Sequence, residues 1–227
     1  MTPRIVIVSA PSGGGKTVVT QELCKRHPDL FGYSVSATTR QPRPGEQDGQ
    51  AYHFLTRTEF ERRRKAGEFL ETADYAGELY GTLKSEVDSV LAKGLNVLLD
   101  IEVKGARQVR GQYPEAIAIF LLPPSADVLL ERLRGRRTES IESLERRIKI
   151  AQEEVEVARR DIQGAAVYDH LVVNEDLNRT VDAVLAIVEH PGRVRHRTGE
   201  MLVHLEKLMF GLQTEAQKLY DELRESK

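Results

Sequence analysis

Residues 9–18 form the run Ser9-Ala10-Pro11-Ser12-Gly13-Gly14-Gly15-Lys16-Thr17-Val18, which directly follows the apolar run Ile5-Val6-Ile7-Val8. A β-branched run, three glycines and then a helical pattern predict a strand, a phosphate-binding loop and a helix. Glycine lets the backbone approach a polyphosphate, while the helix N-terminus and Lys16 add positive charge. The usual motif begins with glycine where this chain has Ala10, but its end, Gly15-Lys16-Thr17, is intact. The loop therefore predicts a site for a nucleoside triphosphate.

Composition limits the class of protein. At 227 residues, the chain is long enough to bury the core of one sizeable α/β domain. Its 33 basic and 35 acidic side chains give a net charge of −2, which provides no global attraction to nucleic acid or to an anionic membrane. The single cysteine, Cys24, cannot form an internal disulfide, and the N-terminal apolar run is too short for a signal peptide. These features predict a soluble cytoplasmic protein that binds neither nucleic acid nor membranes.

A region rich in arginine and proline follows the first predicted helix. Residues 31–40 alternate bulky and small side chains as a strand does, and Gln41-Pro42-Arg43-Pro44-Gly45-Glu46 predicts an ordered loop. Arg40 and Arg43 lie three residues apart on this stiff backbone, and two guanidinium groups held close together suit a phosphate dianion. A solvated basic loop is the alternative that these residues alone leave open.

Five motifs, in their order and spacing, resemble guanylate kinase. They are Ser9-Ala10-Pro11-Ser12-Gly13, Ser34-Val35-Ser36-Ala37-Thr38-Thr39-Arg40-Gln41-Pro42-Arg43-Pro44-Gly45-Glu46, Gly67-Glu68-Phe69-Leu70-Glu71, Tyr80-Gly81-Thr82 and Leu99-Asp100-Ile101-Glu102. The resemblance covers roughly residues 3–190, and its second motif is far more specific than a phosphate loop. It implies an α/β P-loop NTPase three-layer fold with a parallel sheet core, a small mixed GMP-binding subdomain and a helical lid. The implied reaction is transfer of the γ-phosphoryl group of ATP to GMP or dGMP.

The resemblance implies a GMP site that reads the base and holds the phosphate. Glu71 matches the carboxylate that accepts hydrogen bonds from guanine N1–H and the 2-amino group, a donor pair that adenine lacks. Ser36 and Thr82 match the hydroxyl groups that face guanine O6 and N7. The other members grip the phosphate, steady its loop or lie near the base. They are Arg40, Arg43, Glu46, Tyr52, Tyr80, Asp100 and Glu102.

On the ATP side, the resemblance implies that the loop and an arginine-bearing lid surround the phosphates. Arg136 and Arg147 match arginines that close over the phosphates of both nucleotides. With Lys16 and Arg40 they are the implied catalytic residues, because phosphoryl transfer depends mainly on positioning and on neutralising charge. Asn174 matches a position near the adenine. The implied ATP-binding residues are Ala10, Pro11, Ser12, Gly13, Gly14, Gly15, Lys16, Thr17 and Asn174.

A magnesium ion is expected to accompany ATP. Asp100 ends the apolar run Gly94-Leu95-Asn96-Val97-Leu98-Leu99, which predicts a buried parallel strand with an acid at its carboxyl end. We expect Thr17 to bind Mg²⁺ directly and Asp100 to support it. Glu102 and Lys104 depart from the family, which usually has aspartate and glutamine at these positions, and the change at Glu102 adds one methylene near the guanine amino group.

The predicted organisation has a core, an insertion, a lid and an extension. The core is formed by residues 1–32, 85–124 and 161–190, the GMP-binding subdomain by 33–84, the lid by 125–160, and the C-terminal helical extension by 191–227. In the extension, Thr198 precedes apolar residues at alternating steps of three and four. They are Leu202, Leu205, Met209, Leu212, Ala216, Leu219 and Leu223. This pattern fits either a coiled coil that pairs a homodimer or a helix that packs on its own chain.

Two other functions compete with the kinase hypothesis. A guanylate-kinase-like module that only binds a protein partner would not need Lys16, Thr17 or Arg136, the groups expected to contact ATP. A related kinase acting on a phosphosugar would not need Glu71 together with Ser36 and Thr82. The retained residues favour an active kinase that phosphorylates a guanine nucleotide.

Overall fold

Strands and helices alternate along the chain. The computed structural model describes residues 2–75, 77–134, 141–160, 167–192 and 198–225. The strands are β1 Ile5–Ser9, β2 Phe31–Tyr33, β3 Ala37–Thr38, β4 His53–Phe54, β5 Phe69–Tyr75, β6 Glu78–Leu83, β7 Asn96–Asp100, β8 Ile117–Leu122 and β9 His170–Val173. The helices are α1 Lys16–Arg26, α2 Arg57–Lys65, α3 Lys84–Ala92, α4 Val103–Gln112, α5 Ala126–Arg134, α6 Ile141–Arg160, α7 Leu177–Glu189 and α8 Thr198–Glu225. Among the described helices, none is long and apolar enough to cross a membrane.

The chain divides into two compact units. The first unit is Met1–Val8 with Thr20–Ala118, and the second unit is Ser9–Val19 with Ile119–Lys227. In the first unit, β7 pairs in parallel with both β1 and β2. The apolar runs of β1 and β7 are buried, as expected for strands covered on both faces. This parallel arrangement confirms the α/β class predicted from the sequence.

The expectation of one strand over residues 31–40 is wrong. The structure has two short strands there, because β2 pairs with β7 whereas β3 pairs with β4 and β6 in a second sheet. Residues 34–36 connect the two sheets. Alternation of bulky and small residues continues across the break, so it does not reveal that the strands belong to different sheets.

The second sheet of the first unit has the strand order β4-β3-β6-β5. Its core is the buried cluster of Ala37, Phe60, Phe69, Leu79 and Leu83. The rings of Phe60, on α2, and Phe69, on β5, stack with their centroids 4.4 Å apart. These contacts fix α2 against β5. Among the described strands, β5 pairs only with β6, which makes it an edge strand of this sheet.

The second unit contains a parallel strand pair, the phosphate loop and the helices α5 to α8. β8 pairs with β9 in the register Ile119↔His170 to Leu122↔Val173. Ser125, directly before α5, caps the helix, since its hydroxyl accepts from the Val128 N–H at 3.2 Å. Residues 135–140, which precede α6, lie outside the described residues.

The C-terminal helix α8 packs within its own unit against α5 and α6. Its contact face carries four buried leucines, Leu205, Leu208, Leu212 and Leu219. Polar links flank this face: His204 Nε2 lies 2.8 Å from the Pro123 carbonyl, and Glu215 forms an ion pair with Arg134 on α5. Of the two alternatives for the extension, the structure shows packing on the same chain.

Candidate functional site

The phosphate loop lies between β1 and α1, as the sequence predicts. Gly13 and Gly15 have φ angles of 82° and 90°, in the left-handed region that favours glycine. Lys16 and Thr17 are the first two residues of α1, where the helix dipole contributes partial positive charge. The loop thus has the backbone form and the charge of an anion site.

Two buried side chains of the second unit form hydrogen bonds with the backbone of the phosphate loop. On α6, Glu154 Oε2 accepts from the Ser12 N–H at 3.0 Å. The amide of Asn174, directly after β9, donates to the Gly14 carbonyl at 2.9 Å, and the Thr180 hydroxyl donates to Asn174 Oδ1 at 3.1 Å. Both Glu154 and Asn174 are 7% exposed, so these hydrogen bonds form in a shielded environment where they are strong.

The structure gives the phosphate loop two supporting residues whose contacts the sequence does not predict. The Asn174 amide supports the loop, and contact of Asn174 with adenine stays a prediction. Sequence reasoning misses Glu154 altogether. The sequence feature that points to Glu154 is a carboxylate among apolar helix residues. Its neighbours Val155, Ala151 and Ala158 are fully buried. A buried carboxylate needs hydrogen-bond partners, and the Ser12 amide supplies one.

Only one of the two predicted lid arginines falls within the described residues. Arg147, on α6, donates from Nη1 to the Leu133 carbonyl at 2.7 Å, in the last turn of α5. It therefore joins the two helices on either side of residues 135–140. Arg136 lies outside the described residues, and its role stays a prediction.

In the first unit, Arg40 and Glu46 form a tight ion pair at the end of β3. Arg40 Nη1 and Nη2 each donate to one oxygen of the Glu46 carboxylate at 2.9 Å, and Glu46 also accepts from the Arg43 N–H at 2.7 Å. The hydrogen bonds from Arg40 and then from the Arg43 backbone lower the pKa of Glu46. The Arg43 side chain is exposed. The carboxylate therefore holds the guanidinium group of Arg40 and the backbone of the loop in one arrangement.

Aromatic rings surround the same guanidinium group. Its carbon lies 5.4 Å from the ring centre of Tyr52 and 5.7 Å from that of Phe54. Tyr80, on β6, meets Tyr52 edge to face with centroids 5.9 Å apart. The structure thus brings together Arg40, Tyr52 and Tyr80, which the resemblance assigns to one phosphate.

Glu71 is a buried carboxylate on the same four-stranded sheet. It lies on β5 opposite Thr82 of β6, whose hydroxyl donates to Glu71 Oε1 at 2.8 Å. Glu71 is only 5% exposed, and this burial raises the pKa of its carboxyl group to about 7. The hydrogen bonds from Thr82 lower this pKa, and the nearby charge of Glu102 raises it. Such a carboxylate is suited to a ligand that brings its own hydrogen-bond donors.

The remaining predicted residues of the first unit lie at strand and helix ends. Asp100 is the last residue of β7, Glu102 is the N-cap of α4, and Ser36 lies in the connection between the two sheets. Sequence reasoning misses Tyr33, the last residue of β2, whose pKa is raised by burial and then by the charge of Asp100. Its hydroxyl stays protonated. The sequence signal for it is a tyrosine at the end of an apolar strand, directly before Ser34.

These features define the class of protein. A glycine loop at a helix N-terminus, and a sheet with an arginine held among aromatic rings and a buried carboxylate, are typical of a P-loop kinase that acts on a small phosphorylated acceptor.

Comparisons with known proteins identify the family. The guanylate kinase family model matches residues 2–191. A guanylate kinase of Carboxydothermus hydrogenoformans is 45% identical over 197 residues, which span 85% of this chain and 93% of the relative. One of Listeria innocua is 42% identical over 94% of this chain and all of its own length. The crystal structure of guanylate kinase from Anaplasma phagocytophilum, 31% identical, matches with a TM-score of 0.64 and covers 85% of this chain and 88% of that one. The chain belongs to the guanylate kinase family.

Proposed function

We propose that the protein transfers the γ-phosphoryl group of ATP to GMP, and to dGMP, giving ADP and GDP. The observation that carries this proposal is the buried Glu71 carboxylate on the same sheet as the Arg40 cluster, by which we mean Arg40, Glu46, Tyr52 and Tyr80. A carboxylate and a guanidinium cluster on one sheet suit a ligand with hydrogen-bond donors at one end and a phosphate at the other.

Glu71 reads the base in this proposal. Its ionised carboxylate accepts from guanine N1–H and the 2-amino group, while the Thr82 hydroxyl holds Oε1 in place. Because Thr82 donates its proton to Glu71, the hydroxyl of Ser36 is the better donor toward O6 or N7. The Glu102 carboxylate lies near enough to raise the pKa of Glu71, so it belongs to the same polar surroundings. Adenine offers no such donor pair, so the buried carboxylate would lack its hydrogen bonds from the base, which costs a wrong substrate on the order of 10⁴-fold.

The Arg40 cluster binds the GMP phosphate. Arg40 and Arg43 neutralise its charge, and the hydroxyl groups of Tyr52 and Tyr80 donate to its oxygens. Glu46 touches no substrate in this scheme. It fixes the orientation of the Arg40 guanidinium group through the paired 2.9 Å hydrogen bonds. Because the group is already ordered before GMP binds, binding carries a smaller entropy cost.

The phosphate loop binds the ATP phosphates through the backbone of residues 10–17 and the ammonium group of Lys16. Arg136 and Arg147 add positive charge as negative charge shifts during transfer, and Asn174 and Glu154 keep the loop in its binding form. No protein nucleophile is required, because the acceptor phosphate attacks the γ-phosphorus directly.

Residues present in the chain fit a magnesium ion that arrives with ATP. Thr17 is an exposed hydroxyl in the first turn of α1, and Asp100 is a carboxylate at the carboxyl end of a strand. Mg²⁺ in such enzymes takes one or two protein ligands and completes its shell with phosphate oxygens and water, so no dedicated cage is needed. When bound, it neutralises charge on the transferred group; we propose that Thr17 binds it directly and that Asp100 supports it.

An acceptor panel tests the proposed function. ATP and Mg²⁺ are supplied with GMP, dGMP, UMP or ribose 5-phosphate, and nucleoside diphosphate and ADP are measured by ion-exchange chromatography. GDP and dGDP are the expected products. Ribose 5-phosphate as the best acceptor would favour the phosphosugar kinase, and absence of ADP with every acceptor would favour a binding module.

Two finer expectations are also part of the proposal. The protein is expected in the cytoplasm. Pairing of two subunits would use the outer face of α8, where Val203 and Phe210 are 50% and 73% exposed. Light scattering on the purified protein measures the mass in solution and so tests the homodimer.

A further inference from the structure

Gly105 is a glycine inside a helix that the backbone does not require. It is the third residue of α4, and it is not among the glycines with positive φ. Its backbone is therefore open to any residue, and alanine is the better helix former. The reason for glycine has to lie in the space around it.

That space is filled by Glu71. A Cβ placed on Gly105 would lie 2.5 Å from Glu71 Oε2, 3.0 Å from its Cδ and 3.4 Å from its Cγ. These three nearest atoms all belong to the same carboxylate side chain. The carboxylate therefore occupies the position that a side chain on α4 would take, with Oε2 against Gly105 and Oε1 against the Thr82 hydroxyl.

Two further residues of α4 hold the strand on either side of Glu71. Gln108 Oε1 accepts from the Thr72 N–H at 3.2 Å, and Gln108 Nε2 donates to the Thr72 carbonyl at 2.8 Å. Gln112 Nε2 donates to the Leu70 carbonyl at 2.9 Å. β5 is an edge strand, so no strand within the described ranges pairs with these backbone groups on that side, and the two glutamines take its place.

The three α4 residues share one helix face, since they follow one another at steps of three and four. We propose that this face, Gly105, Gln108 and Gln112, is the positioning device for the guanine-reading carboxylate. Gly105 leaves the place for the Glu71 carboxylate, and the glutamines fix the backbone that carries it. Gly105 is thus a specificity-determining positioning residue that touches no substrate. This inference rests on the proposed function, in which Glu71 reads guanine.

The substitution Gly105→Ala isolates this role. To move from 2.5 Å to an ordinary contact, Oε2 has to shift by roughly 1 Å. The carboxylate is the end of a side chain and can move, so the fold survives while the hydrogen-bonding position changes. A misplacement of about 1 Å in a binding site can cost about 10²-fold.

Gly111→Ala is a matched control, because Gly111 lies in the same helix and a Cβ there would meet nothing within 4 Å. We expect Gly105→Ala to raise KM for GMP about 10- to 100-fold, with KM for ATP unchanged and a single cooperative thermal unfolding transition that shows a folded protein. Gly111→Ala should leave both KM values unchanged. A KM for GMP within twofold of wild type in Gly105→Ala would overturn the inference.

A double variant separates positioning from a general effect on the fold. In the Glu71→Gln background, Gly105→Ala should add little further loss, because both act through one carboxylate. Losses that multiply would show that Gly105 acts elsewhere, and would also overturn the inference. Failure of the proposed function looks different: wild type itself would not phosphorylate GMP, and both ideas would then fall together.

Discussion

Acidification should weaken GMP binding through Glu71. Burial raises the pKa of this carboxyl group from an ordinary 4.5 to about 7, and the nearby charge of Glu102 adds to the effect against the hydrogen bonds from Thr82. Guanine N1–H and its 2-amino group need an ionised acceptor. The protein that binds GMP is therefore the fraction in which Glu71 has lost its proton.

The size of the effect follows from that pKa. With a pKa of about 7, the ionised fraction of Glu71 falls from about 0.9 near pH 8 to about 0.1 near pH 6. Because apparent affinity scales with the competent fraction, the Kd for GMP should rise about tenfold over this interval. The effect of this carboxyl group on the free energy of unfolding has the opposite pH dependence. A raised carboxyl pKa contributes stability that is fully present below 4.5 and is lost as pH rises through about 7, so acid does not weaken the fold through this group.

Calorimetric titration of GMP at a series of pH values measures this dependence, with ATP titrated in parallel. The second ionisation of the GMP phosphate, near pH 6, also affects binding. Glu71→Gln is the control for it, because this variant keeps the phosphate effect and lacks the titrating carboxyl group. A wild-type Kd that is constant between about pH 6 and 8, or that changes no more than in Glu71→Gln, would refute a Glu71 carboxyl that titrates near 7 and must be ionised to bind guanine.

Three substitutions test the other parts of the molecule. Asn174→Ala removes the 2.9 Å hydrogen bond to the Gly14 carbonyl and should raise KM for ATP about tenfold while KM for GMP stays unchanged in steady-state assays. Glu46→Gln weakens the paired hydrogen bonds to Arg40 and should raise KM for GMP by about tenfold without changing KM for ATP. Leu212→Ala empties a fully buried position of α8 and should lower the free energy of unfolding in urea by about 2–5 kcal/mol at every protein concentration.

For each of the three variants, a different outcome would contradict the prediction. Equal changes in both KM values for Asn174→Ala would mean that the asparagine acts on more than the loop. An unchanged KM for GMP in Glu46→Gln would remove Glu46 as the support of Arg40. A loss of stability that depends on protein concentration in Leu212→Ala would indicate that α8 packs on a second subunit instead of its own chain.

Local patterns predict those parts of the fold whose signal lies within one segment. The glycine run before Lys16 marks the loop, the apolar run that ends at Asp100 marks a buried strand, and the spacing of leucines after Thr198 marks a long helix. The structure has all three. In each case the pattern that predicts the element, either a hydrophobic period or a turn residue, lies within the segment that forms it.

Contacts between distant segments could not be predicted in the same way. Glu154 meets the Ser12 amide 142 residues away, Gly105 makes room for Glu71, and the alternating residues 31–40 divide between two sheets. A glutamate on a helix or a glycine in a helix has many possible neighbours, and only the packing of the chain selects one. The site residues predicted for the first unit are grouped by the resemblance, because composition and spacing alone do not group them.

Selectivity between GMP and AMP tests the central claim most directly. The measured quantity is the ratio of kcat/KM values for wild-type protein with saturating ATP and Mg²⁺ at about pH 8, where Glu71 is mostly ionised. A buried carboxylate that requires two donors predicts a preference for GMP of about 10⁴-fold or more. A ratio within tenfold, or a preference for AMP, would contradict the account of Glu71 as the residue that selects guanine.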